Sequence, residues 1–508
     1  YKTNGHYPET VGVVLWSIET MRTNGQSVAM ILRLMGLEPT YASSGYFNGV
    51  KVTPISELKR PRVDVIVTIS GLFRDTFSYT IEILDDAFRS VSKLNESAND
   101  NYIRKHYFED LIKYQSQGMS LEEAEIYAMA RIFGPPAEDY GTGLSELTTT
   151  TSGWDNQTDL VDTYLARMSY FYGRNINAKS GLEAFKSQLT RIEATVQVRD
   201  GLYGVFDNDD VVQYLGGLTM AAKSLSGKNV QIYIANTRTT PKIETLSTFV
   251  NNEIRTRLLN PKWAEGMLKN GFSGAHEIND NVENMFRWNA IQPDSVNDWM
   301  WQQVVEKYVF DVNMRNQLIQ ANPHAFKSLA AWALEAARRG MWNPDAAPLT
   351  QLKDLYLDAN IKYGVTCCHH TCANMAFNQF VVMGSSLSIN QLQQFADTLF
   401  KATGKAVTVG FQGTPSQPTS GSVNTIGQSD SSAGEDVASD KQNQEQFAAQ
   451  SPGSEGSQKA YEIPISSQGS GQSSTPVAAI VGVILLISLV GVGYFRADIL
   501  SYLGISKK

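Results

Sequence analysis

The sequence predicts a mixed α/β, helix-rich protein: a parallel-sheet α/β region, a largely helical region, a disordered linker and one transmembrane helix. Three observations carry this. Two continuous apolar runs, Val11–Trp16 and Val63–Ile69, each lead towards a helical pattern, as strands buried on both faces do. From 241 to about 399 the hydrophobic spacing is helical almost throughout, with breaks near Pro293, Pro323, Pro344 and Gly364. Beyond Gly410 the composition turns to Ser, Gly, Gln and Asp, and residues 477–495 then run for 19 positions without a charge.

The segments expected from these shifts are 1–135 (α/β), 136–240 (mixed, with a long loop), 241–410 (helical), 411–476 (linker), 477–495 (membrane span) and 496–508 (tail). After the first strand, Gln26–Met35 is amphipathic and stops at Gly36. The second strand runs into Ser70–Asp75, where the carboxyl ends of parallel strands present their ligand sites. Arg74 and Asp75 are therefore candidates to contact anionic or amide groups. The alternative is structural, with Asp75 capping the next helix and Arg74 paired to a carboxylate. Helical patterns follow over 76–94 and 101–132, the second containing Ser120-Leu121-Glu122-Glu123, which reads as a capping box.

Gly134-Pro135-Pro136 and the Gly/Thr/Ser-rich run to Gly153 predict a binding loop or a crossover. Residues 159–172 read as a helix ending in Tyr170-Phe171-Tyr172-Gly173-Arg174, either a stacking surface beside an arginine or a buried helix end. Phe206–Asp210 is acidic but lacks the glycine and closing glutamate of a calcium loop, so capping is the better account. Val230–Ala235 alternates like a half-buried strand. A helix is expected over 242–259, ended by Pro261, which can also start the next one.

All three cysteines and two of the six histidines fall in Cys367-Cys368-His369-His370-Thr371-Cys372. On a helix, Cys368 and Cys372 share a face, His369 flanks it, and Cys367 pairs with His370 on another. One such turn offers two or three ligands to an ion without closing a tetrahedron, which suits a site that passes metal on. Thiolate and imidazole fit Co²⁺, Ni²⁺ or Zn²⁺ and fit Mg²⁺ badly. A buried thiol cluster and a vicinal Cys367–Cys368 disulfide are the other readings.

Charged residues are 19% of the chain and the net charge is −8, so no electrostatic footprint for nucleic acid is present. No G-x-x-x-x-G-K-[ST], H-E-x-x-H or G-x-S-x-G occurs. Any ATP-dependent work would need a partner that hydrolyses ATP. The chain opens at Tyr1 and reads as the later part of something longer. One cysteine knot without a disulfide framework favours a reducing compartment. Arg496, Lys507 and Lys508 would instead place the short tail in the cytoplasm and the large region outside. A membrane anchor through 477–495 is expected, with its orientation open.

Four stretches together resemble one family, the large subunit of cobaltochelatase (CobN) and the H subunit of magnesium chelatase. They are YPETVGVVLWSIETMRTNG (Tyr7–Gly25), RPRVDVIVTISGLFRD (Arg60–Asp75), LLNPKWAEGMLKNGFSGAHEI (Leu258–Ile278) and YGVTCCHHTCAN (Tyr363–Asn374). The resemblance implies a large subunit that holds a tetrapyrrole during insertion of a divalent metal. An AAA+ ATPase and an associated adaptor subunit would supply ATP hydrolysis. The knot is similar to the cobaltochelatase side, which implies Co²⁺ and hydrogenobyrinic acid a,c-diamide. The linker and membrane span depart from the usual soluble subunit.

Metallation strips water from the ion, deforms a flat ring and removes two pyrrolic protons, so transient ligands, an apolar cradle and a base are required. Cys367, Cys368, His369, His370 and Cys372 are the candidate transient ligands. Glu265 and His276 are candidate bases or further ligands, against the alternatives of a helix cap and a surface histidine. Lys262, Arg74 and Arg174 are candidates to hold ring carboxylates. Trp263 is a possible stacking platform and more naturally core. A magnesium or nickel chelatase subunit is the nearest alternative, and a tethered metal-binding protein without catalysis is the rival from another class.

Overall fold

The computed structural model describes residues 5–238, 240–365 and 374–409. All of them lie in one compact unit. The expected linker, membrane span and tail lie outside the described residues. Among the described residues, no helix is long and apolar enough to cross a membrane.

The organising element is an eight-stranded sheet. Across it run Lys242–Thr245, Gln231–Asn236, Ala194–Arg199, Thr10–Leu15, Asp64–Ile69, Ile132–Gly134, Tyr170–Gly173 and Ile176–Ser180. The five strands from Gln231–Asn236 to Ile132–Gly134 are parallel, and antiparallel strands finish both edges. Thr10–Leu15 and Asp64–Ile69, the two apolar runs, pair residue for residue from Thr10 with Asp64 to Leu15 with Ile69, and every position of both is buried. Helices cover both faces of such a sheet, so alternation is not needed and continuous Val and Ile are.

The helix Gln26–Met35 forms as expected and ends on Gly36, whose φ of 75° is the left-handed value that favours glycine. Ser120 caps the helix Leu121–Ala128 by accepting from the Glu123 amide.

Three segments differ from the sequence reading. The helix expected over 159–172 ends at Met168, and Tyr170–Gly173 is an edge-region strand. Three consecutive aromatics prefer the pleated surface, and Phe171 packs on Phe133 in the neighbouring strand. The expected helix over 242–259 begins as the strand Lys242–Thr245, and Thr245 then caps the helix Leu246–Thr256. The helical stretch over 101–132 divides into Tyr102–Ser116 and Leu121–Ala128 and ends in the strand that starts at Ile132.

The Gly/Thr/Ser-rich run after Gly134 is tied to the core and contains the helix Leu144–Thr149, and it leads to a strand that pairs antiparallel with Ile132–Gly134 rather than across the sheet. The backbone N–H and Oγ1 of Thr142 both donate to Oε1 of Gln213 at 3.1 Å. Asp207, in the acidic run, accepts from the Gly204 amide at 2.6 Å and pairs with Arg257. Among the described residues beyond Pro261 the chain is helical, built on Gly271–Ile291 and Pro323–Arg338, with Trp288, Trp301, Trp332 and Trp342 fully buried. Trp288 Nε1 donates to the Val205 carbonyl at 2.9 Å, which joins the helical part to the sheet.

Candidate functional site

At the carboxyl edge of the sheet, Ser70 caps the short helix Gly71–Thr76 by accepting from the Phe73 amide at 3.1 Å. Arg74 is only 7% exposed. It donates twice to Asp75 at 2.6 and 3.0 Å, and to the carbonyls of Pro136 and Asp139 at 2.6 and 3.0 Å. Tyr140 Oη donates to the same Asp75 carboxylate at 2.7 Å. Burial opposes the charge on Arg74, but bonds to Asp75 and Tyr172 outweigh it and raise its pKa. Asp75 is held below the usual carboxylate range, first by Arg74. Of the two sequence alternatives, the geometry has the ion pair, which fastens the loop over 136–140 across this edge.

Arg174 is exposed and bonds to both oxygens of Asp86 at 2.9 Å and to Glu82 at 2.9 Å. Lys262, Trp263 and Glu265 lie on the helix Pro261–Leu268, capped by Asn260, whose Oδ1 accepts from the Lys262 amide at 3.0 Å. Lys262 and Glu265 are exposed, whereas Trp263 is half-buried against the core. His276 is exposed on the following helix, 3.3 Å from Asp280, whose pKa burial pushes up to about 6. Lys307, not singled out from the sequence, donates to the Leu258 carbonyl at 3.0 Å. Burial pushes its pKa down to about 8, against the opposing charge of Glu265. Cys367, Cys368, His369, His370 and Cys372 lie outside the described residues.

A cluster of buried charge stands at the opposite, amino edge of the sheet. Because the Thr10, Asp64 and Ala194 strands are parallel and in register, Glu9, Asp64 and Glu193 arrive there together. The helix Tyr102–Ser116 crosses this edge and turns His106 and Asp110, one turn apart, inwards. Asp64 is wholly buried between Arg131, whose Nε lies 2.9 Å away, and His106, whose Nδ1 lies 2.9 Å away. Burial raises the Asp64 pKa, but these two partners outweigh it, so the group is held below its ordinary range and ionised.

His106 presents Nε2 towards Glu9, at 3.3 Å from Oε2. Lys105 donates to both Glu9 oxygens at 2.9 and 2.7 Å. Burial raises the Glu9 pKa, and the bonds from Lys105 and His106 bring it below normal. The Glu9 amide donates to Glu193 at 2.9 Å, and His6 Nε2 lies 3.3 Å from the other Glu193 oxygen. A cavity of about 480 Å³ opens here, lined by His6, Tyr7, Glu9, Tyr102, His106, Arg191, Glu193 and Lys228.

Sequence reasoning missed this cluster. The available signal was Asp64 itself, a lone carboxylate inside an apolar strand, which requires a buried partner. Asp64 and Glu9 also stand within the two motif stretches Arg60–Asp75 and Tyr7–Gly25.

The sheet and its helical continuation define a mixed α/β protein with parallel central strands and a polar cavity at their amino ends. The chain belongs to the CobN/magnesium chelatase family, which it matches over residues 1–349. The cysteine knot lies beyond the matched residues. The chain is 35% identical to the magnesium-chelatase H subunit of Chlorobaculum parvum over 361 residues, 70% of this chain and 28% of that protein. It is 34% identical to the aerobic cobaltochelatase subunit CobN of a Sinorhizobium species over 346 residues, 67% of this chain and 27% of the relative. Among solved structures, the catalytic subunit of cobaltochelatase from Mycobacterium tuberculosis superposes with a TM-score of 0.67 at 33% identity, covering 71% of this chain and 30% of that one. The chain thus spans less than a third of the length of these relatives.

Proposed function

We propose that this chain carries part of the large subunit of an ATP-dependent metal chelatase, the subunit that holds a tetrapyrrole while a divalent metal enters it. The observation that carries the reading is the family match over residues 1–349, accompanied by one fold at 33% identity. The sequence has no phosphate-binding loop, which agrees with ATP being hydrolysed by an AAA+ partner joined through an adaptor subunit.

For the metal, the proposal is Co²⁺, with hydrogenobyrinic acid a,c-diamide as the ring. It rests on Cys367, Cys368, His369, His370 and Cys372, whose sulfur and nitrogen atoms suit cobalt and not magnesium. A magnesium-inserting subunit is the second reading, favoured by 35% identity to a magnesium-chelatase H subunit. The proposed assignments of Glu265 and His276 to proton removal, and of Arg74, Asp75, Arg174, Lys262 and Trp263 to the ring, carry different structural weight. Lys262, Glu265 and His276 stand exposed near one another in sequence, whereas Arg74 and Asp75 already bond each other.

A metal competition assay separates the two metal readings. The full-length protein, assembled with its ATPase partners, is given the corrinoid ring or protoporphyrin with Co²⁺ and Mg²⁺ together. Cobalt in the corrinoid supports the first reading; magnesium in protoporphyrin replaces it with the second.

A further inference from the structure

We propose that the carboxyl edge between the strands Thr10–Leu15 and Ala194–Arg199 is the face on which the tetrapyrrole docks. Arg199 takes a ring carboxylate there, and Ile18, Met21, Leu202 and Tyr203 meet the apolar body of the ring. The inference rests on the chelatase reading and adds to it a place and an anchor.

Topology selects this edge. In open α/β sheets, ligands bind beyond the carboxyl ends of the strands, where the strand order reverses. The chain leaves Thr10–Leu15 for Asp64–Ile69 and Ile132–Gly134 on one side and returns to Ala194–Arg199 and Gln231–Asn236 on the other. The reversal therefore falls between Thr10–Leu15 and Ala194–Arg199, which pair in parallel. The segments that follow these two strands are joined by an ion pair, Arg22 Nε lying 3.1 Å from Asp200 Oδ2. The π-helical turn Val212–Gly216 packs on both strands, and such turns are frequent at functional sites.

Arg199 supplies the charge. Arg22, Arg74 and Arg257 at this edge are engaged, by Asp200, by Asp75 and by Asp207 with Glu253. Arg199 ends its strand half-buried, its guanidinium carbon 5.2 Å from the centre of the Phe249 ring. Among the described residues, its Nη2 is buried without a hydrogen-bond partner and the guanidinium enters no ion pair. Burial lowers its pKa, outweighing the pull of Glu253. A buried cation without a partner is costly, and a carboxylate gripped through two parallel N–H···O bonds offsets that cost. Trp16 Nε1, just past the end of the adjoining strand, is a second buried donor without a partner among the described residues.

The apolar side chains fit the rest of the ring. Ile18 and Met21 follow the first strand, Leu202 and Tyr203 follow the other, and each is more than half exposed. Ile18 and Met21 are three positions apart on the helix Ser17–Arg22 and so share a face. The Leu202 carbonyl accepts from Arg257 Nη2 at 2.7 Å, which fixes the second segment. Tyr203 adds an aromatic ring suited to stacking. Exposed apolar side chains beside one unpaired cation match a flat apolar body with carboxylates on its rim.

The test titrates the full-length protein with hydrogenobyrinic acid a,c-diamide and with protoporphyrin, and then with the methyl ester of whichever ring binds. Arg199→Met should weaken binding of the free acid about 10–100-fold and leave binding of the ester unchanged. The double variant Leu202→Ser, Tyr203→Ser should weaken acid and ester alike, severalfold. Circular dichroism establishes folding, and the double variant, at exposed positions, carries the test where Arg199→Met does not fold. Unchanged acid affinity in folded Arg199→Met overturns the inference and leaves the chelatase reading standing. Equal weakening of acid and ester in Arg199→Met also overturns it, since the residue then acts on the fold alone. So does a double variant that loses assembly with the proposed ATPase partners while its ring affinity is unchanged, because the face then takes a protein. Binding of neither ring by the parent overturns the inference and the chelatase reading together.

Discussion

His106 Nδ1 lies 2.9 Å from Asp64 Oδ2, with neither residue more than 2% exposed. The two residues are 42 positions apart, and the helix Tyr102–Ser116, crossing the amino edge of the sheet, brings them together. A buried carboxylate of this kind is retained by its partners, since removing one partner leaves an uncompensated charge.

Asp64→Asn leaves Arg131 buried without a countercharge. The expected loss is about 3–5 kcal/mol of unfolding free energy, read from urea denaturation. Adding Arg131→Met to the same chain should recover part of that loss. Equal stability of Asp64→Asn and the parent would show that the network is not balanced through Asp64.

The carboxyl-edge loop depends on close approach at Gly71. A Cβ there would stand 2.5 Å from Tyr140 Cδ1 and 2.7 Å from the Asp139 carbonyl, and a backbone oxygen cannot move alone. Gly71→Ala should therefore destabilise by about 1–3 kcal/mol. Arg74→Lys should have a comparable effect, because an ammonium cannot span Asp75 and two carbonyls as a guanidinium does. Thermal midpoints of both variants check this.

Lys307 has its pKa lowered to about 8, from 10.5 when unfolded, by burial. At pH 7 it is charged in both states, so burial of the ammonium is a standing cost. As pH rises from about 8 towards 10.5 the folded state loses its proton first, and the protein gains stability relative to pH 7. Lys307→Met should stabilise at pH 7 by about 1–2 kcal/mol, allowing for partial exposure, and the advantage should close by about pH 10.5. Tyr308 still donates to the Leu258 carbonyl at 2.6 Å, so no acceptor is stranded.

Asp280 has the opposite chemistry and the same kind of cost. Its folded pKa of about 6 stands above the ordinary 3.8, so the penalty of ionisation is absent below 3.8, builds as pH rises and is complete above about 6. Asp280→Asn should raise the thermal midpoint at pH 7 and leave it nearly unchanged at about pH 3.5. Loss of the His276 contact trims the gain, since that neighbour favours the ionised form.

The parallel centre of the sheet was legible in the sequence because Val11–Trp16 and Val63–Ile69 are largely apolar and do not alternate, Asp64 being the one charge in either. Gln26–Met35 was legible because Gly36 ends it. Tyr170–Gly173 was not, because nothing but Ser169 separates a helix from three aromatics that fit a strand, and Lys242–Thr245 merges without a break into Leu246. The amino-edge cluster was invisible for a different reason. Glu9 and Glu193 are 184 residues apart, and no local spacing encodes a contact that strand register creates. Arg74 and Asp75 were found by position at a strand end, but their bonding to each other and to the loop required the fold.

The proposed tetrapyrrole binding and ATP-dependent metallation are tested together by titrating the full-length protein, assembled with the proposed ATPase partners, with hydrogenobyrinic acid a,c-diamide and with protoporphyrin. Absorbance and fluorescence are followed, and metal and ATP are then added. Saturable binding of one ring is expected, followed by a metallated spectrum that develops only when ATP is hydrolysed. Binding of neither ring would contradict the chelatase reading.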